Sequence, residues 1–595
     1  MKVLLRGWIL FCAGLVALGW TLSLFGELTT IAYVIAIGLF AILWFPSSAK
    51  TIRPIFQRRW TLARLTSLRL LLPGLFALSA TLLFVKGIVT PPFHDDGLCY
   101  RIPRAMNWIM DHRWHWIGAE DVRLDILGTV SEWLTVPILL IFHTDRLVFL
   151  PNWICQLFLP GLIFSVWRKL GVSPRIAWLS MWLLPSGFCF ALQAVNTSND
   201  SLGAFFVLAA FFFAFKGADS KAWDDFAFSI LCMALATGVK LNFLSLGLAW
   251  AVAISVGWKT LFSRPGSTIA VLLLATLVSF VPTAFFDWSH GRTWTGLAYV
   301  QTPPPWVNFI CTTFHLIVQN LTPPLLAGPY AGPHIIPGIE GTALGDLMQR
   351  YFLLPVIYSQ VAVEQAGLGF IVAIAFAFLL LTSKVRYRSS SDTSRPFLSR
   401  RCLIFVCLGV AFLHYMFFVS SDQPARLICV YYLLLLPVLF VGRNLRPHIP
   451  WYLYKMTVAV AMFAGLYLAL FFTENPLCNY FPNFNERLYW DGRFMDETRR
   501  VIPDEEKKVG IIRFYNQRET WLWKPYGTRK VVELPISPDP ERVRDLGLNY
   551  IVVSNEMLVL NHLTIDSWLA GQPWTLAGSV VAGRDNTWYF VKIKK

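Results

Sequence analysis

The sequence predicts an all-α polytopic membrane protein of about thirteen transmembrane helices, followed by a small soluble α/β domain. Three observations carry that expectation. Hydrophobic residues make up 56% of the 595 positions and charged residues only 14%, against about 25% charged in soluble domains. Apolar runs close to the ~20 residues that cross a bilayer recur from the N-terminus to Phe472. Beyond Phe472 the chain turns charged and its apolar runs shorten to strand length.

The net charge of +16 does not indicate nucleic-acid binding, because the basic residues sit in short loops between apolar runs. The 10 cysteines lie mostly inside those runs without C-x-x-C spacing, which indicates neither a zinc site nor a disulfide framework. Met1-Lys2 and Arg6 before an apolar stretch resemble a signal peptide. A second apolar run starts at Thr29 with no small-residue cleavage site before it, so the first span is read as retained.

Spans are expected near 8–25, 28–47, 70–89, 146–166, 175–194, 201–216, 226–239, 241–259, 267–287, 367–383, 402–419, 427–441 and 451–473. The positive-inside rule tests the set. Loop 48–69 carries Lys50, Arg53, Arg58, Arg59, Arg64 and Arg69 without an acid, and further basic loops fall at 168–175, 259–264, 384–401 and 443–446. With the N-terminus cytoplasmic, all of them land on the cytoplasmic side. Three regions follow: two N-terminal helices with their basic loop (1–69), a membrane module (70–474) with outer loops 90–145 and 288–366, and a soluble domain (475–595) on the outer face.

The same topology collects the polar features on the outer face. After the span at 70–89 comes Pro91-Pro92-Phe93-His94-Asp95-Asp96-Gly97. Two adjacent carboxylates beside a membrane cannot both ionise without cost, which suits a metal ligand, a general base or a solvated loop. Asp200 opens a span in Asn199-Asp200-Ser201, as an N-cap carboxylate, a site residue or both. Lys240 interrupts an apolar stretch too long for one helix, so Gly238-Val239-Lys240-Leu241 reads as a hairpin tip. It is either a snorkelling anchor or a functional cation. Arg426, in Gln423-Pro424-Ala425-Arg426, opens a span on the side the positive-inside rule disfavours, and a guanidinium there suits a phosphate.

Loop 288–366, with Pro303-Pro304-Pro305-Trp306, Pro323-Pro324 and Gly328-Pro329-Tyr330, reads as an interfacial segment walling a cavity, and Glu364 closes it. The C-terminal region has β-type runs at 509–514, 530–534, 550–553 and 587–593 around a helix-like stretch at 539–546. It carries no nucleophile elbow or phosphate loop, and reads as acceptor recognition or packing.

Asp96-Gly97-Leu98-Cys99-Tyr100, Pro103-Arg104 and Asn107-Trp108 together resemble the first outer loop of membrane glycosyltransferases of the GT-C fold. That family includes the protein O-mannosyltransferases and aminoarabinose transferases. Ser131-Glu132-Trp133, Asn199-Asp200, Gly238-Val239-Lys240, Glu364 to Gly369 and Gln423 to Arg426 follow in the family's order, so the resemblance spans roughly residues 70–445. Where the family often shows a histidine after the motif tyrosine, Arg101 stands here.

The resemblance implies transfer of one sugar, with inversion, from a polyprenyl-phosphate-linked donor to a lipid, glycan or protein acceptor on the outer face. A bacterial inner membrane is the expected location. Asp96 is the first candidate for the base and Asp95 the second. Lys240, Arg426 and Arg104 are candidate cations for the donor phosphate. Asp200, Glu132, Tyr100 and Glu364 are candidates for orienting the acceptor or those cations. His94, Asp95 and Asp96 are candidate ligands for a divalent metal, which some branches of the family use. The alternative is a lipid or glycoconjugate transporter, which needs ionisable residues deep within several spans. The absence of an internal repeat counts against it.

Overall fold

A computed structural model describes residues 2–56, 70–296, 303–322, 333–335, 339, 341–352, 356–358, 363–385, 399–473, 477, 490–515, 517–570, 572–581 and 587–594. Residues Arg58, Arg59, Arg64 and Arg69 of the first basic loop lie outside the described residues, as do Pro323-Pro324, Gly328-Pro329-Tyr330 and most of loop 384–401.

Among the described residues, seven helices are long and apolar enough to cross a membrane, or up to nine if each of two bent pairs is one span. The pairs are Pro174–Ser186 with Phe188–Val195, bent by 59° at Gly187, and Pro265–Val278 with Val281–Ser289, bent by 54° just before Pro282. A glycine and a proline are the usual causes of such breaks. The runs expected near 28–47, 226–239, 367–383 and 427–441 correspond to shorter apolar helices, among them Trp223–Val239 and Phe370–Leu381. The helix Asp200–Ser220 is the most enclosed span, with 83% of its apolar window buried. It is apolar all round and packs against Leu150–Leu170, Trp223–Val239 and Cys429–Leu434, as a helix without a polar face must.

Two predicted loops contain helices. Between 90 and 145 the chain forms Ile102–Met110, Arg123–Ile126 and Val130–Phe142. The last is apolar but only 13 residues long, about 20 Å, too short to stand out as a span. Between 288 and 366 lie Pro305–Leu321, Ala343–Tyr351 and a two-stranded pairing of Pro333–Ile335 with Val356–Tyr358. Pro305–Leu321 is an inside-out amphipathic helix. It buries Asn308, Thr312, His315 and Gln319 and exposes Trp306, Ile310 and Ile317, the orientation of a helix whose outer side meets lipid.

The helix ends separate the charges. At one end Lys2 and Arg6 pair with Asp225 at 3.3 and 2.7 Å, and Lys169 pairs with Asp219. There Val172 bridges to Val441, Ser383–Val385 pairs with Arg443–Leu445, and Arg400 donates to the Val252 carbonyl at 3.2 Å. The expected basic segments near 168–175, 384–401 and 443–446 therefore lie at the same end. The carboxylate-bearing loops gather at the opposite end.

The C-terminal domain covers that opposite end. Its five-stranded sheet runs Lys530–Glu533, Lys508–Ile512, Tyr550–Ser554, Thr587–Ile593, Trp574–Val581 from edge to edge. The first three strands are parallel and the last two join antiparallel. Tyr550–Ser554 is buried throughout because both faces are covered. One face packs Val543, Leu558 and Trp568, and the other places Trp521, Trp588 and Phe590 in the apolar cluster that includes Ile102 and Met106. Ion pairs reinforce the junction: Lys530 with Asp111 at 2.7 Å, Lys524 with Asp145 at 2.9 Å and Arg518 with Asp95 at 2.7 Å. Burial pushes Asp111 up, but hydrogen bonds from His115 and Lys530 outweigh it and hold the carboxyl at about 2.

The two ends are separable by labelling. In a Cys402→Ser/Cys478→Ser background, cysteines at the exposed positions Ser267 and Thr528 are expected to react with an impermeant maleimide from opposite sides of sealed vesicles. Labelling of both from one side would contradict the arrangement.

Candidate functional site

The site is built where four segments end. The helix Leu71–Val89 stops at Thr90, whose backbone is extended, because Pro91-Pro92 cannot continue it. The chain then turns back on itself, with the Gly97 and Leu98 amides donating to the His94 carbonyl at 3.0 and 3.1 Å. A π-helical turn, Gly97–Arg101, leads into Ile102–Met110. Gly97 lies flat against Thr197: a Cβ on Gly97 would stand 2.1 Å from the threonine hydroxyl. This close approach seats the Asp96 loop on residues 196–200, a place only glycine permits.

Residues 196–200 are held from below. The buried Asn152 amide donates to the carbonyls of Gln193, Asn196 and Ser198 at 3.1, 2.8 and 2.5 Å. The helix begins at Asp200, and its first-turn amide at Ser201 donates to Gln193 at 2.7 Å. The Asp200 carboxylate is thereby left to pair with cations. Asn199 donates to the Val239 carbonyl at 3.0 Å, tying this helix start to the end of Trp223–Val239. Lys240 follows with extended backbone before a 3₁₀ turn, as the hairpin-tip reading requires.

Arg426 stands at the centre. It sits in the short turn Pro424–Leu427, positioned by Gln319, which donates to the Asp422 carbonyl at 2.6 Å and accepts from the Ala425 amide at 3.1 Å. Its guanidinium meets Glu364 at 2.5 Å, Asp200 at 3.3 Å and Asp96 at 3.5 Å, and also contacts the His94 imidazole. Lys240 binds the second oxygen of Asp200 at 2.5 Å. His94 lies 3.1 Å from Glu364 and 4.0 Å from Asp96. Burial pushes Asp96 up, but the charges of Arg426, His94, Arg101 and Lys240 outweigh it and hold the carboxyl below the ordinary carboxylate range. Glu364 is likewise pushed up by burial, and brought down to about 2 by His94 and Arg426. The carboxylates are ionised, and the cations that keep them so are shared.

The structure thus joins Asp96, Asp200, Lys240, Glu364, Arg426 and His94 from distant segments. It separates the others. Asp95 turns away, its carboxylate on Arg518 at 2.7 and 2.8 Å, outside the metal-capable group. Arg104 is fully buried and donates to the Leu127 and Gly128 carbonyls, both at 2.9 Å, and to Glu132 at 2.6 Å. Those bonds bracket the loop and occupy the fork. Glu132 also accepts from Ser131 at 2.8 Å and lies 3.4 Å from Arg101, which donates to the Tyr100 hydroxyl at 3.0 Å. Glu132 and Tyr100 therefore support the loop from behind.

The group that can hold a metal among the described residues is His94, Asp96 and Glu364, whose ligand atoms lie within 4.8 Å of one another. An imidazole and two carboxylates suit a divalent ion. Arg426, however, is already against all three side chains, and a divalent ion there would face a fixed like charge. The residues do not fit a metal in this arrangement.

Sequence reasoning left Gln319, Asn152 and Arg518 unassigned. Gln319 alone had a signal, since Asn308, Thr312, His315 and Gln319 recur at helical spacing through an otherwise apolar segment.

The chain matches no protein-family model and no curated protein sequence. Among solved structures it is similar to ArnT from Cupriavidus metallidurans bound to undecaprenyl phosphate, at 13% identity over 87% of this chain and 97% of that one, with a TM-score of 0.48. The same protein in the apo state scores 0.47. The arabinosyltransferase EmbB from Mycobacterium smegmatis matches 74% of this chain and 45% of its own length at 13% identity, with a TM-score of 0.31. Scores of this size leave the function to be argued from the site.

Removing Arg426 leaves buried carboxylates without their shared cation, a loss of about 3–5 kcal/mol for a broken buried pair. Arg426→Met is expected to lower the thermal unfolding midpoint. Adding Glu364→Gln to it is expected to restore part of the loss, because one unpaired charge goes. A double variant no more stable than Arg426→Met would contradict this electrostatic account.

Proposed function

We propose that this chain is an inverting membrane glycosyltransferase of the GT-C type. It moves a single sugar from a polyprenyl-phosphate-linked donor to an acceptor on the outer face of the membrane. The observation that supports this most directly is the meeting of the Asp96 carboxylate with Arg426, and of Arg426 with Lys240 through Asp200, at the ends of apolar helices. A lipid-linked phosphate presents its charge at that level, where the chain enters the bilayer and the headgroup does not.

In the transfer, the Asp96 carboxylate accepts the proton of the acceptor hydroxyl as its oxygen attacks the anomeric carbon. The bond from that carbon to the phosphate oxygen breaks, and the lipid phosphate leaves with the electron pair. Arg426 and Lys240 stabilise its growing charge in a site where desolvation strengthens each contact. Lys240 is the more accessible of the two, with its side chain 25% exposed against 6% for Arg426. Glu364 competes with the phosphate for Arg426, so the donor must share that guanidinium or displace the glutamate. Asp200 holds both cations in register, and Arg518 keeps Asp95 from competing with Asp96. Clustering of these groups at one end of the helices favours an interfacial enzyme over a transporter.

Incubation of purified protein with a panel of polyprenyl-phosphate sugars is expected to show turnover of one donor, to acceptor or slowly to water. Asp96→Asn is expected to lower that rate by about 10²–10⁴, the usual contribution of a positioned base. A chelator is expected to leave it unchanged. An Asp96→Asn enzyme as active as wild type would overturn the assignment of the base, and inhibition by a chelator would overturn the metal-free site.

The pH dependence follows in sign from the same contacts. Asp96 works as its anion, and its pKa lies below the ordinary value near 4. The acid limb of kcat/KM is therefore expected below that range in wild type. Arg426→Gln removes the leading charge that opposes burial, so the carboxyl rises and the residual activity should lose its acid side at higher pH. An unmoved acid limb would exclude Arg426 as the group that holds Asp96 ionised.

A further inference from the structure

A cleft that the proposed transfer does not use opens where the helix Val130–Phe142 ends against the C-terminal domain. It has a volume of about 200 Å³ and is lined by His143, Asp145, Arg146, Arg499, Lys524 and Tyr526, with Pro91 at its floor. Among its described lining residues are the cations Arg146, Arg499 and Lys524 and one carboxylate, Asp145, which is bound by Lys524 at 2.9 Å and by the Tyr526 hydroxyl at 3.0 Å. His143 caps the helix in the left-handed conformation, φ +51°, which turns the chain out of the helix at the cleft wall.

His143 also lines a second cavity, of about 390 Å³ and opposite character. Leu28, Ile31, Met106, Leu139 and Leu140 form its walls with Gly527. The two cavities abut, since they share His143 and are lined by the successive residues Tyr526 and Gly527. The apolar cavity lies at the turn between the two N-terminal helices, where Leu24, Phe25 and Ile31 are 81, 72 and 72% exposed. In a membrane protein such a surface faces acyl chains.

We propose that this pair of cavities binds an anionic phospholipid of the bilayer, with the phosphate headgroup among Arg146, Arg499 and Lys524 and an acyl chain along the Ile31 groove. The proposal rests on the membrane reading but not on the transferase reading. Phosphate favours clustered arginine and lysine donors, and the adjoining aliphatic groove selects a lipid over a soluble phosphate. Such a lipid touches both parts of the molecule, since Arg146 and His143 come from the membrane module and Arg499 and Lys524 from the C-terminal domain. Pro91, which lines the same cleft, lies three residues before His94, at most about 11 Å along the chain.

Full-length protein in nanodiscs of phosphatidylcholine doped with phosphatidylglycerol, released into native mass spectrometry, tests the site. Wild type is expected to retain phosphatidylglycerol in preference to phosphatidylcholine. Arg146→Gln/Lys524→Gln and, separately, the exposed Ile31→Gln are each expected to reduce that retention, tenfold or more for the double variant. If the double variant does not fold, the exposed Arg499→Gln carries the headgroup test alone. Glycerol 3-phosphate at millimolar concentration is expected not to displace the lipid. The proposal is overturned if both lipids are held equally, if the folded basic-residue variants retain the lipid as wild type does, or if glycerol 3-phosphate displaces it.

Discussion

Carboxylates from three distant segments, Asp96, Asp200 and Glu364, converge on one guanidinium at the edge of a low-dielectric slab. That convergence costs free energy unless the cations are fixed in place. Much of the surrounding structure provides the fixing. Gln319 holds the turn that carries Arg426, Asn199 ties the start of the Asp200 helix to the end of the helix before Lys240, and Gly97 lets the Asp96 loop lie against Thr197. The apolar helices supply rigid ends, and the polar residues at those ends supply register. A site so assembled is preorganised: its cations are held against carboxylates before any substrate arrives. A phosphate entering it exchanges one anionic partner for another and needs no new cation.

The C-terminal domain takes part in this arrangement through complementary charge. The first loop presents Asp95, Asp111, Asp121 and Asp145, and the domain answers with Arg518, Lys530, Arg513 and Lys524 in turn. Arg513 is nearly fully enclosed with Glu519 at 2.8 Å and Glu533 at 3.5 Å. Burial raises Glu533 to about 7 against the lowering effect of Arg513, so this inner network holds more acid than its cation neutralises. The Arg518–Asp95 and Lys530–Asp111 pairs are partly exposed and individually weak. Their sum, with Trp521 and Trp588 packed beneath, fixes the domain over the loop. The domain thus engages Asp95 through Arg518 and leaves Asp96 facing the cations.

The parts of the site that could be read from sequence were those where an ionisable residue breaks an apolar run. Asp96, Asp200, Lys240, Glu364 and Arg426 all stand at such breaks, and loop parity places them together before any geometry is known. The parts that could not be read depend on contacts between segments. Arg104 reads in the sequence as a candidate phosphate cation, and only its bonds to the carbonyls of Leu127 and Gly128 show it bracketing the loop. Asp95 and Asp96 are neighbours, and their roles part only because Arg518, more than 400 positions later, takes the first. The helix Val130–Phe142 lies in a stretch that reads as loop, because Gly128, Ser131 and Glu132 shorten its apolar run below bilayer length. The polar stripe from Asn308 to Gln319 was visible, but its meaning reverses once the apolar side is seen to face outward.

The central claim is a division of labour, in which Lys240 and Arg426 hold the donor phosphate and Asp96 acts on the acceptor. Equilibrium binding of undecaprenyl phosphate to wild type, Lys240→Gln and Asp96→Asn tests it most directly. The account expects Lys240→Gln to bind at least about tenfold more weakly, as loss of one charge-assisted contact implies, and Asp96→Asn to bind as well as wild type or better. Full binding by Lys240→Gln together with lost binding by Asp96→Asn would contradict it.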